Sequence, residues 1–159
     1  MKRQLFFLTF ILLAYLGMAQ ETKQALGLRL GGNDGFGTSI SYQYGLSDLN
    51  RLEFDLGMHS GHDYNSWGLG GIYQWVWDID KGFSWYAGAG GKIGSWNWES
   101  NYAGTKKSGM FLSAAGNVGI EYTFPIKIQV SLDAMPTLGL INDGEAFGTD
   151  IALSVRYRF

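Results

Sequence analysis

Residues 147–159 alternate without interruption. Phe147, Thr149, Ile151, Leu153, Val155, Tyr157 and Phe159 form one series, and Gly148, Asp150, Ala152, Ser154, Arg156 and Arg158 form the other. Side chains two positions apart share a face only in an extended strand, so this segment reads as β. A helix would spread the two arginines and the aspartate around its whole surface. The same period recurs where Leu52, Phe54, Leu56 and Met58 alternate with Glu53, Asp55, Gly57 and His59. It recurs again where Ile126, Ile128, Val130 and Leu132 alternate with Lys127, Gln129, Ser131 and Asp133. Extending this reading predicts strands near 24–31, 37–45, 51–59, 67–77, 83–95, 109–123, 126–139 and 147–159. Most approach the ~9–11 residues that cross a bilayer as a tilted strand.

The connections predicted near 46–50, 78–82 and 124–125 are short, and those near 31–37, 60–66, 96–108 and 140–146 are longer. Short turns at one end and long loops at the other are the arrangement of a transmembrane up-and-down barrel. Alternation cannot decide which face meets water, because a soluble barrel alternates too. Composition decides. Charged residues make up 16% of the chain, against roughly 25% in typical globular proteins, and the polar series is largely Gly, Ser, Ala, Asn and Gln. Such small residues suit the interior of an eight-stranded barrel, which has room for side chains and little more.

The aromatic residues sort by height as well. Tyr42, Tyr44, Tyr73, Trp75, Trp77, Phe83, Trp85, Tyr122, Phe124, Tyr157 and Phe159 fall towards the short turns. Phe36, Trp67, Trp96, Trp98, Phe111 and Phe147 fall towards the long loops. Two aromatic belts flanking an aliphatic band are what membrane–water interfaces select. The expected fold is therefore all-β: an eight-stranded antiparallel transmembrane β-barrel in an up-and-down meander.

Residues 1–19 stand apart. Lys2 and Arg3 precede an apolar run over 5–16, and Gly17-Met18-Ala19 supplies small residues before Gln20. This is the pattern of a cleaved secretory signal peptide, and the run is shorter than the roughly 18 residues of a spanning helix. Residues 20–159 then form the barrel domain. The chain has no Cys, which argues against a lipid-anchored lipoprotein. Its net charge of −2 argues against a nucleic-acid partner, which needs a basic patch.

The terminal Val155-Arg156-Tyr157-Arg158-Phe159 resembles the C-terminal signal of outer-membrane barrels, which the barrel assembly machinery reads through its terminal aromatics. Tyr157 and Phe159 would serve that role here. Three further segments carry a wider resemblance: 28–37 (LRLGGNDGFG), 84–90 (SWYAGAG) and 130–133 (VSLD). They are similar to the small outer-membrane β-barrel family common in Bacteroidota, related in shape to OmpX and the OmpA membrane domain. The resemblance implies a bacterial outer-membrane protein exported through the periplasm, with outer-membrane lipid as its surroundings. It implies no particular activity.

With the aliphatic face outward, Arg29, Glu53, Asp55, Lys92, Glu121, Lys127, Asp133, Asp150, Arg156 and Arg158 point into the lumen. By height, Arg29, Glu53, Asp55, Glu121, Lys127, Arg156 and Arg158 fall near the short turns, and Lys92, His59, Asp133 and Asp150 nearer the other end. An isolated buried charge is costly, so these groups are expected to pair and fill the barrel. The expected function is a non-enzymatic barrel with a closed, salt-bridged lumen that acts structurally or through loop contacts. A narrow channel or small-ligand transporter is the alternative, and a lipid-modifying membrane enzyme is a third class.

His59-Ser60-Gly61-His62-Asp63 is the one cluster that invites catalysis or metal binding. Alternation sends His59 inward, away from any lipid substrate, so no catalytic residue, metal ligand or cofactor is assigned. Asn33-Asp34-Gly35 and Asn142-Asp143-Gly144 read as turn chemistry. The segment 96–108, with Trp96, Trp98, Tyr102, Lys106 and Lys107, is the candidate contact loop, able to meet an extracellular glycan or protein. A monomer is expected.

Overall fold

Eight strands form, and each pairs with its neighbours in the chain. They are β1 (Gln24–Gly31), β2 (Thr38–Gly45), β3 (Asn50–Ser60), β4 (Tyr64–Asp80), β5 (Phe83–Ser100), β6 (Thr105–Thr123), β7 (Ile128–Ile141) and β8 (Phe147–Arg158). The structure is a computed structural model that describes residues 23–31, 37–60, 64–100, 105–141 and 147–159. The leader expected over 1–19 lies outside the described residues, as do Asn33-Asp34-Gly35, Phe36 and Asn142-Asp143-Gly144. Every pairing is antiparallel, and β1 also pairs with β8, from Ala25 opposite Arg158 to Gly31 opposite Ala152, which closes the barrel. Closure leaves no unpaired strand edge, the condition for placing β-structure in hydrocarbon.

The short connections are true hairpin turns. Between β4 and β5, Lys81 and Gly82 both take positive φ, 44° and 92°. That is the two-residue turn whose twist matches the strands, and Gly at its second position carries no steric cost. Between β6 and β7, the Phe124 amide donates to the Ile128 carbonyl at 2.7 Å, and the Lys127 amide to the Phe124 carbonyl at 3.0 Å. Pro125-Ile126-Lys127 is thus a three-residue loop that ends in a left-handed residue, Lys127 with φ 64°. This corrects the expected strand start at 126 and the lumen assignment of Lys127, which is exposed in the turn. The alternation of Ile126 and Lys127 had no ladder behind it.

The larger departure is in length. β4, β5 and β6 have 17, 18 and 19 residues and outrun their expected ends at the long-loop side. Asn97 pairs with both Asn65 and Ser108, and Trp98 with both Tyr64 and Lys107. Beyond the membrane no solvent contrast separates the two faces, so the apolar/polar period fades while the backbone ladder continues.

The exterior is apolar. Leu28, Ile40, Leu56, Leu69, Ile93, Ile120, Leu132 and Leu153 stand one on each strand, each between 42% and 54% exposed. At the short-turn end the aromatic side chains touch one another: Tyr73 meets Trp75, Trp77 stacks on Trp85 at 4.3 Å, and Tyr122 contacts both Phe83 and Phe124. The buried set is mostly Ser, Gln, Asn, Arg, Asp and Glu. An apolar exterior around a charged interior is inverted for water and correct for a bilayer. The chain is a closed eight-stranded transmembrane barrel.

Candidate functional site

The lumen is crossed by three arginines. Arg156 on β8 donates from Nη2 to Glu53 on β3 at 2.9 Å, from Nε to the Ser41 hydroxyl at 2.9 Å, and from Nη1 to the Ser131 hydroxyl at 2.8 Å. Glu53 also accepts from the Gln43 amide at 2.6 Å. Arg51 on β3 reaches Glu121 on β6 with both Nη atoms, at 2.9 and 2.7 Å, and gives its Nε to Gln74 at 2.6 Å. Its guanidinium lies 4.8 Å from the centre of the Tyr86 ring. Two parallel N–H···O bonds to one carboxylate are a geometry that arginine holds and lysine cannot.

Gln74 and Asn117 carry the network upward. The Gln74 amide donates to Asn117 at 2.8 Å, and the Asn117 amide donates to Asp133 at 3.2 Å. Arg29 on β1 then bridges Asp133 on β7 at 2.9 Å and Asp150 on β8 at 2.8 Å. The polar chain therefore runs unbroken from Arg51 to Asp150. Near it, Asp55 and Lys92 flank Gly70 in one register row of β3, β4 and β5. A Cβ added at Gly70 would stand 3.7 Å from the Lys92 side chain and 3.8 Å from that of Asp55. Tyr86 is accommodated in a similar way, since its register partner on β6 is Gly119.

Of the ten charged residues expected in the lumen, Arg29, Glu53, Asp55, Lys92, Glu121, Asp133, Asp150 and Arg156 are buried there. Arg158 sits at the short-turn mouth, half-buried, and donates to the Thr123 hydroxyl at 3.2 Å. Lys127 is outside. The expected sorting of charges into two separate layers does not occur, because Arg29 binds the two aspartates assigned to the opposite layer. Sequence reasoning missed Arg51. Its parity with Glu53 and Asp55 was the available signal, since the strand expected over 51–59 begins with it. Gln74, Asn117 and Tyr86 were missed because uncharged residues carry no demand for a partner that can be read from sequence.

Below Arg51 and Glu121, a vestibule of about 360 Å³ opens at the short-turn mouth between Lys23, Asp48, Asp78, Lys81 and Arg158. At its rim Lys23 contacts Asp48 at 3.1 Å.

At the opposite mouth, Trp96 and Trp98 lie on β5 and Lys106 and Lys107 on β6. The expected contact loop is therefore mostly a strand hairpin, with Tyr102 outside the described residues. Trp96, Trp98 and Phe111 do not join the lipid-facing belt, Trp98 sharing the parity of Trp96. Trp96 has the parity of the inward Ser84, Tyr86 and Lys92, and Phe111 that of Ser113 and Glu121. Trp67 and Phe147 do face outward. His59 and Ser60 end β3, while 61–63 lie outside the described residues. At the C-terminus Tyr157 and Phe159 face outward, and the Phe159 amide donates to the Gln24 carbonyl at 3.0 Å.

No family model matches the chain, and no curated protein matches it. Solved structures do. The N-terminal β-barrel domain of Pseudomonas aeruginosa OprF superposes with a TM-score of 0.71 at 14% identity, covering 86% of this chain and 97% of that one. Ail, the attachment invasion locus protein of Yersinia pestis, gives 0.60 at 15% identity over 87% and 97%. Neisserial surface protein A gives 0.59 at 12% identity over 87% and 96%. At such identities the likeness is one of fold. That fold is the small eight-stranded barrel of those bacterial outer-membrane proteins, and the apolar exterior of this chain requires a lipid surrounding.

Proposed function

We propose that the chain is a non-enzymatic envelope protein whose lumen is a closed plug and whose outer mouth makes contacts. One observation carries this reading. Arg51 and Glu121 join β3 to β6 while Arg156 and Glu53 join β8 to β3, so ion pairs span the bore in two directions at membrane depth. Interior charges at that depth hold together only when each has a partner, and a fixed set of partners fills the space an ion would need. In this reading the leader over 1–19 is removed on export, Tyr157 and Phe159 engage the assembly machinery, and the barrel works as a monomer.

The purified protein in planar bilayers tests the plug. Absence of steady single-channel steps is expected, and large stable steps would overturn it. The vestibule at the short-turn mouth favours one second reading, a narrow channel in which the Arg51–Glu121 pair is the barrier. That reading requires Arg51→Ala to open a steady conductance; under the plug reading this variant loses stability without conducting.

A further inference from the structure

The inner face of β4, β5 and β6 continues above the plug and changes character. Lys92 is the last buried cation on β5, and beyond it the same face carries Trp96 and Trp98. On β6 it carries Phe111 and Lys107, and on β4 it carries Ser66. Each of two rings lies over a glycine directly across the ladder. A Cβ at Gly109 would come within 3.0–3.1 Å of the Trp96 indole, and one at Gly94 within 2.7 Å of the Phe111 ring. The glycines leave the rings room to lie flat against the sheet, which fixes their orientation in advance of any ligand. Trp98, 40% exposed, is the register partner of Lys107, which is exposed.

Ser66 supplies an independent sign. It is 8% exposed and is the register partner of Trp96, yet its hydroxyl has no hydrogen-bond partner among the described residues. A buried hydroxyl without a partner is costly and calls for one.

We infer that this wall binds an acidic saccharide entering from the outer solution. Flat, pre-set aromatic faces suit the apolar C–H face of a sugar ring, the Ser66 hydroxyl suits its edge, and the Lys107 ammonium suits a carboxylate or sulfate substituent. This rests on the reading of the outer mouth as the contact end and names the ligand class for it.

The test uses the full barrel in detergent micelles, with hexagalacturonate as the acidic probe and maltohexaose as its neutral counterpart, followed by calorimetry and tryptophan fluorescence. Saturable binding of hexagalacturonate is expected, weakened by about tenfold or more in Trp98→Ala and in Lys107→Glu. Trp75→Phe, at the other end on the lipid face, should bind as the unsubstituted protein does. Each variant is first checked for the heat-sensitive gel mobility of a folded barrel. Equal binding by all variants, or no binding of hexagalacturonate at millimolar concentration, would overturn the proposal. Equal affinity for maltohexaose would remove the acidic group from it. None of these outcomes bears on conductance, so the plug stands or falls separately.

Discussion

β1 and β2 have eight residues each, whereas β5 and β6 have eighteen and nineteen. On the short side, strands stop soon after the hydrocarbon does, and their inward residues (Arg29, Ser41, Gln43) belong to the plug. On the long side, the lower halves contribute Tyr86, Asn117 and Glu121 to the same plug, while the upper halves carry aromatics and lysine on that face. One sheet therefore obeys two sets of rules. Within the membrane the low dielectric favours pairing of the inward charges, and Arg29, Arg51 and Arg156 are each held to carboxylates. Above it, water relieves that demand, and the inner face is free to be built for something else.

The strongest way to break this contrast is to strand a charge in the plug. Arg156→Ala leaves Glu53 with Gln43 as its hydrogen-bond partner among the described residues, and a loss of about 3–5 kcal/mol is expected in urea unfolding of the lipid-embedded protein. A loss below about 1 kcal/mol would mean that the lumen is hydrated and the pair weak. Glu121→Ala should behave alike, since both Nη atoms of Arg51 bind that one carboxylate.

Next in size is the exterior. Leu153→Arg places a cation in the aliphatic band, where about 2–4 kcal/mol is the usual cost near the midplane. Met110→Arg, on the outward face of the extended part of β6, should cost under about 1 kcal/mol. Comparable losses at the two positions would show that the long hairpin is also embedded. The smallest effect belongs to the residue that looked internal by its period. Lys127→Ala should change stability by no more than about 0.5 kcal/mol, and a larger loss would place the Lys127 ammonium in the ion-pair network after all.

Several of these sites were legible before any coordinates. β8 reads strand for strand from Phe147 to Arg158 because it meets lipid on one side and the lumen on the other along its length. The inward charges Glu53, Asp133, Asp150 and Arg156 follow from the same period. Lys127 failed because a turn can imitate alternation for two residues, and nothing in a single strand reports where its ladder ends. Arg51 was missed although the same period sets it on the face of Glu53 and Asp55, at the first residue of the expected strand. The segment expected as a loop over 96–108 is mostly strand, and Trp96 turns to the inner face and not to the outer belt, because parity must be carried through a ladder that hydropathy no longer marks.

The sequence by itself determined the closed meander of strands and the choice of lipid as its outer solvent. Both depend on a one-dimensional pattern: period two, with apolar and small polar residues sorted by face and aromatics by height. Only the tertiary structure decided which charge meets which. Arg29 finds Asp133 and Asp150 from 104 and 121 positions away, and Arg51 finds Glu121 from 70. Such partners are chosen by the stagger of strands around the barrel and by the reach of each side chain across it. Neither quantity exists until the eighth strand has paired with the first.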